Sequence, residues 1–136
     1  MKEQYYTELE ILSENLAPDN INSILGMTCD KSWSIGEVIK PSSRRAKKNI
    51  CDYYSRIEQD APLEDHIKDL LERVSPIIGK IKSLSIQPGI DVWFNCVVHT
   101  NTRPAIFFTN EQISTINAMN ANLDVDLYWI PNNEDK

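Results

Sequence analysis

Two histidines, His66 and His99, are by type the residues best suited to move a proton near neutral pH. His66 stands among Glu64, Asp65 and Asp69 in a segment of helical period, and reads as a surface residue with a slightly favoured charge. His99 closes an alternating run on the same side as Asp91 and Asn95, and this polar row could hold a small ligand. Neither histidine has a serine or cysteine motif beside it, so nucleophilic catalysis has no support and the chain is not expected to be an enzyme. Asp124 and Asp126 share one face of a second alternating run. They could meet a cation or a basic side chain, or simply face water, and would divide acid and base roles only if burial separated their pKa values. Cys29, Cys51 and Cys96 are odd in number, widely spaced, and match no zinc or C-x-x-C pattern. Cys51 and Cys96 read as small apolar filler in strands. The four glycines are isolated, so no phosphate-binding loop is present. No metal or cofactor is expected.

Charge gives a second kind of candidate. The chain has 20 acids against 14 bases, a formal net charge of −6. Much of the excess lies in one stretch, where Asp52, Glu58, Asp60, Glu64, Asp65, Asp69 and Glu72 face only Arg56 and Lys68. Just before it stands a short basic run, Arg44, Arg45, Lys47 and Lys48, without interleaved aromatics, which reads as a solvated loop. An acidic chain repels phosphates, which argues against nucleic acid as a general partner, and it attracts and steers a basic protein. Trp33, Trp93 and Tyr128 are placed outside the expected core rows; aromatics beside acids make a plausible interface.

The elements that must position these residues follow from period and punctuation. Residues 4–13 alternate as a half-buried strand, and Ala17-Pro18-Asp19 opens a short helix that Gly26 stops. Residues 27–48 have no long period and read as a loop, followed by a strand over 49–57. Leu63, Ile67, Leu70, Leu71 and Val74 form the stripe of the longest helix, which Pro76 ends or kinks before a second helical piece carrying Ile77, Ile78, Ile81 and Leu84. A strand over 90–99 is expected to turn at 100–102 into a hairpin partner over 104–108. Thr109-x-x-Gln112 is a capping box opening the last helix, before a final strand over 123–130. This order implies one α+β domain over residues 1–131 with a polar tail at 132–136. The expected architecture is a two-layer sandwich: a mainly antiparallel sheet of about five strands with helices on one face.

Several landmarks in this order carry a resemblance. They are the opening strand, Leu16-Ala17-Pro18-Asp19-Asn20-Ile21 through Leu25-Gly26, and Ser32-Trp33 with Gly36. Next come Leu63-Glu64-Asp65-His66-Ile67 with Leu70-Leu71, and the closing Leu123-Asp124-Val125-Asp126-Leu127-Tyr128. The sequence resembles the bacterial family catalogued as domain of unknown function 4279, from about Tyr5 to Tyr128. Residues 49–53 depart from the aromatic-rich, Trp-containing stretch of other members. The resemblance implies a bacterial origin and, as for some members, a role as a toxin-immunity protein. It implies no catalytic residue or cofactor.

The expected function is therefore a protein-binding module, an immunity protein that neutralises a cognate, basic toxin such as a nuclease by occluding its active or substrate-binding site. Two candidate surfaces are Glu64, Asp65, Asp69 and Glu72 on the long helix, or Asp124 and Asp126 with Trp93 on the sheet. The alternative is a small-ligand or enzymatic site around Asp91, Asn95, His99 and Asp126. With no apolar leader and no run of ~20 apolar residues, no membrane association is expected and the location is expected to be the cytoplasm.

Overall fold

The computed structural model describes residues 3–131. In chain order the elements are β1 (Gln4–Ser13), α1 (Pro18–Leu25), β2 (Lys31–Trp33), β3 (Asn49–Tyr54) and α2 (Leu63–Val74). A 3₁₀ turn (Ser75–Ile77) leads into α3 (Ile78–Ser85), then come β4 (Ile90–Thr100), α4 (Asn110–Ala118) and β5 (Asn122–Trp129). The five strands form one sheet in the order β2-β3-β1-β4-β5. All neighbours are antiparallel except β4 and β5, which run parallel because α4 carries the chain back between them. The α+β fold expected from sequence is the one observed.

Alternation decides which side of the sheet is buried. Tyr5, Thr7, Leu9, Ile11 and Ser13 of β1 point inward, beside Cys51 and Tyr53 of β3 and Val92, Phe94, Cys96 and Val98 of β4. The helices supply Ile21 and Leu25, then Leu63, Ile67, Leu70 and Val74, then Ile81, Leu84 and Ile116 to the same cluster. Burying a side chain such as Phe94 or Leu9 contributes about 1.5–3 kcal/mol relative to leaving it exposed. Helices therefore cover one face of the sheet.

Local signals set the helix ends. Pro18 occupies the first turn of α1, and Gly26 ends it with φ at 71°, its N–H donating to the Asn22 carbonyl. α2 stops at Val74, just before Pro76. Thr109 and Gln112 form the reciprocal capping box of α4.

Four expectations need correction. The hairpin partner over 104–108 is absent: these residues run to α4 without joining the sheet, because the β4 edge they would use is taken by β5. The fifth strand is instead β2, a three-residue piece of the expected loop that pairs with β3. His66 is fully buried, not a surface residue: it lies on the α2 stripe, one turn from Leu63 and Leu70. The strand expected over 49–57 is shorter, ending at Tyr54. The polar tail expected at 132–136 lies outside the described residues.

Candidate functional site

The face of the sheet opposite the helices is set by the other half of each alternation. β1 contributes Tyr6, Glu8, Glu10 and Leu12, and β3 contributes Ile50, Asp52 and Tyr54. β4 adds Asp91, Trp93, Asn95, Val97 and His99; β5 adds Asp124, Asp126 and Tyr128; β2 adds Lys31 and Trp33. Acids and aromatics dominate this layer, and no helix of the described residues packs on it.

At its centre, strand register brings Glu10 opposite Asp52 and Glu8 opposite Tyr54. Glu8, Glu10 and Asp52 offer carboxylate oxygens that lie within 4.8 Å of one another. Asp52 is only 3% exposed. Its Oδ2 accepts from the Tyr54 hydroxyl at 3.3 Å, while its buried Oδ1 has no partner among the described residues as long as the group is ionised. Burial, followed by the charges of Glu10 and Glu8, pushes its pKa up to about 9. Asp52 therefore keeps a proton at neutral pH, and that proton can be shared with Glu10. Burial also raises the pKa of Glu8, offset in part by a hydrogen bond from Asn95 Nδ2 at 3.1 Å. A divalent cation held by the three oxygens is the chemical alternative to the proton.

Aromatics frame this centre. Tyr6 meets Tyr54 edge-to-face at 6.0 Å, and Lys31 Nζ sits 5.7 Å from the Tyr54 ring centroid. Toward β5, the His99 and Tyr128 rings stack at 4.7 Å, and the Tyr128 hydroxyl donates to Asp126 Oδ2 at 2.7 Å.

The residues singled out from sequence fall in different places. Asp124 lies beside Asn95, and Asp126 beside Val97, with Trp93 diagonal to Asp124; this set is gathered on the open face. Asp91 and His99 lie on the same face but eight positions apart along β4, roughly 26 Å. Asp91 pairs with Lys48 at 3.4 Å. Asp91, Asn95, His99 and Asp126 thus line a strand without converging on one point. Glu64, Asp65, Asp69 and Glu72 lie on the outer surface of α2, in the other layer. Asp65, Asp69 and Glu72, with Lys68, line a shallow groove of about 480 Å³. Asp69 is already engaged by the backbone N–H of Arg56 at 2.7 Å.

Two clusters escaped the sequence reading. Asp30, in the loop before β2, receives Arg56, Arg73 and the Tyr54 N–H. Burial alone would raise its pKa, but Arg73 and Arg56 hold it down to about 2. The second is a relay in the core: the Thr7 N–H donates to Ser55 Oγ at 3.1 Å, and Ser55 Oγ lies 2.8 Å from His66 Nδ1. Burial lowers the His66 pKa, and the backbone of Glu58 and Ala61 offsets this in part. In neutral His66 the tautomer sets whether Nδ1 accepts a hydrogen bond from the Ser55 hydroxyl or donates one to it. Ser and His stand as in a nucleophilic relay, yet the far ring nitrogen, Nε2, is buried and has no hydrogen-bond partner, and so no carboxylate, among the described residues. Cys51 and Cys96 are buried as expected, and burial raises both thiols, Cys96 to about 12, so they stay protonated.

Fold and site together define a two-layer α+β domain whose helix-free sheet face carries acids, aromatics and a buried, protonated aspartate. Residues 3–129 match the family described as domain of unknown function (DUF4279), and the chain belongs to that family. No curated protein and no solved structure matched the chain. Among the described residues, no helix is long and apolar enough to cross a membrane.

Proposed function

We propose that this chain is a protein-binding module that receives a basic partner on its open sheet face. In this reading it is a bacterial immunity protein, acting in the cytoplasm, that neutralises a cognate toxin by occluding its active or substrate-binding surface. The observation that carries the reading is the composition of the helix-free face. Glu8, Glu10, Asp91, Asp124 and Asp126 stand there among Tyr6, Trp33, Tyr54, Trp93 and Tyr128. Acids on an accessible face steer a basic protein and pair with its Lys and Arg, and half-buried aromatics supply the area and rigidity of interface anchors. A nuclease that grips phosphate with basic residues would have those residues covered by this face. The chemistry is occlusion, without a bond made or broken.

The open face is preferred over α2 because the helix surface offers acids without aromatics, and Asp69 is already engaged there. Co-expression of the intact chain with a basic toxin encoded beside it is expected to restore growth. Affinity should fall steeply between 50 and 500 mM salt, on the order of the Debye screening of exposed charges. Glu10→Lys with Trp93→Ala should weaken binding at least ~10-fold, while Glu64→Lys with Glu72→Lys leaves it within about 2-fold. Failure of the intact chain to restore growth would sink the immunity reading.

A further inference from the structure

β5 is the last strand of the sheet, bonded on one side to β4 and on the other to no described residue. Its outward N–H and C=O groups run along an eight-residue edge, a template for another strand. Native sheets blunt such edges with lysine, proline, bulges or a covering element. β5 has neither lysine nor proline, its only charges are those of Asp124 and Asp126, and it pairs with β4 in unbroken register from Asn122 to Trp129.

The two sides of this edge differ in character. On the helix side, Leu123, Val125, Leu127 and Trp129 continue the inward row of β4, opposite Phe94, Cys96, Val98 and Thr100. Those β4 residues are buried, whereas the β5 row is exposed: 44% at Leu123, 37% at Val125, 54% at Leu127 and 67% at Trp129. Ile113 of α4, the helix beside β5, is exposed as well. On the open side the same strand carries Asp124 and Asp126. An occupant of this edge must therefore bury apolar side chains on one side and answer two carboxylates on the other.

A second copy of this chain answers the first demand and fails the second. Two β5 strands paired antiparallel about a twofold axis place residues of the same face opposite each other. With the axis at Leu127, Asp126 faces Tyr128 and Asp124 faces Ile130, so neither carboxylate meets a cation; with the axis at Val125, Asp124 faces Asp126, and with the axis at Asp126, Asp126 faces its own copy. Like charges directly opposite one another destabilise a strand pair. A strand alternating apolar and basic residues meets both demands at once.

We infer that the β5 edge binds, by strand addition, an extended segment of a basic protein in which apolar residues alternate with Lys or Arg. The apolar residues cover Leu123, Val125, Leu127 and Trp129, the basic ones pair with Asp124 and Asp126, and backbone hydrogen bonds extend the sheet by a sixth strand. The inference rests on the reading of the chain as a protein-binding module and specifies the form of its partner.

The test titrates the full chain with two acetylated, amidated eight-residue peptides of four Lys and four Val, one strictly alternating and one in two blocks. Calorimetry reads affinity and amide hydrogen exchange reads location. The alternating peptide should bind at least ~10-fold more tightly than the block peptide and slow exchange within Asn122–Trp129. Asp124→Lys with Asp126→Lys, both on exposed or half-buried sites, should reverse the preference toward a peptide carrying Glu in place of Lys. Equal binding of the two peptides, or protection away from β5, overturns the inference. So does a concentration-dependent dimer that protects β5 without peptide and dissociates in Leu127→Lys, since the occupant is then a second copy. Growth restored by the chain while neither peptide protects β5 removes the edge and leaves the immunity reading standing. Peptide protection at β5 without growth rescue does the reverse.

Discussion

Asp52→Asn should stabilise this protein against alkaline pH, and the size of the effect follows from the site. The side chain is 3% exposed, and its pKa rises from 3.8 to about 9 on folding. A carboxyl group raised in this way favours folding fully below its unfolded pKa of 3.8, and this contribution is lost as pH climbs toward 9. The slope through that window is about 1.4 kcal/mol per pH unit for one proton. Between pH 6.5 and 8.5 the wild type should lose roughly 2–3 kcal/mol from this group. That window avoids the buried His66, whose own linkage acts below the ordinary histidine value of 6.5. Asparagine keeps the shape, can accept from the Tyr54 hydroxyl and can donate an amide proton toward Glu10, yet does not titrate. The variant should therefore be nearly flat across the window and gain roughly 2–3 kcal/mol on the wild type between pH 6.5 and 8.5. Urea unfolding followed by tryptophan fluorescence at each pH, with the slope m held common, reads the difference directly. A wild type that is flat from pH 6.5 to 8.5, or an Asp52→Asn variant that falls as steeply, refutes a protonated Asp52.

Two further perturbations probe the clusters behind the face. Asp30→Asn leaves Arg73 and Arg56 without their carboxylate and should cost about 1–2 kcal/mol in urea unfolding at pH 7, because Arg73 is largely buried while Asp30 and Arg56 are screened by solvent. Because the Asp30 pKa is depressed, that wild-type contribution is present above 3.8 and lost as pH falls through about 2, so wild type and variant should converge in acid. His66→Gln should remove a second pH dependence of opposite sense: a histidine buried neutral loses stability as pH falls below 6.5, because the unfolded chain takes the proton first. Thermal melts at pH 5 and 7 check this, with the variant showing the smaller difference.

Where sequence foretold structure, the signal was local. β1 alternates cleanly over ten residues, Gly26 takes the left-handed backbone its position needs, and Thr109 with Gln112 closes the box they spell. Where it failed, the answer depended on distant residues. Lys31–Trp33 is too short to show a period and is a strand only because β3 offers it an edge. Residues 104–108 have strand-like composition, yet the parallel return of β5 occupies the partner they need. His66 is the exception, since its spacing from Leu63 and Leu70 placed it on the buried stripe, and its acidic neighbours obscured that. At the candidate site, alternation put Asp124, Asp126 and Trp93 on one face. The Glu8, Glu10 and Asp52 group was not legible, because its proximity comes from the register between β1 and β3, and no local pattern encodes register across a long connection.

The position of β1 in the sheet bears on the order in which a ribosome can let this protein fold. The strand nearest the amino terminus is the middle one: it pairs with β3 on one side and β4 on the other, Leu9 lying beside both Tyr53 and Phe94. A nascent chain can form the β1–β3 pair early, but the core facing α2 and α3 lacks Val92, Phe94, Cys96 and Val98 until β4 has emerged. Synthesis thus holds β1 with one open edge through the making of two helices, until β4 fills that edge and α4 adds Ile116 to the core. Premature termination before residue 98 should leave a sticky fragment, one that a cell's chaperones and proteases would intercept.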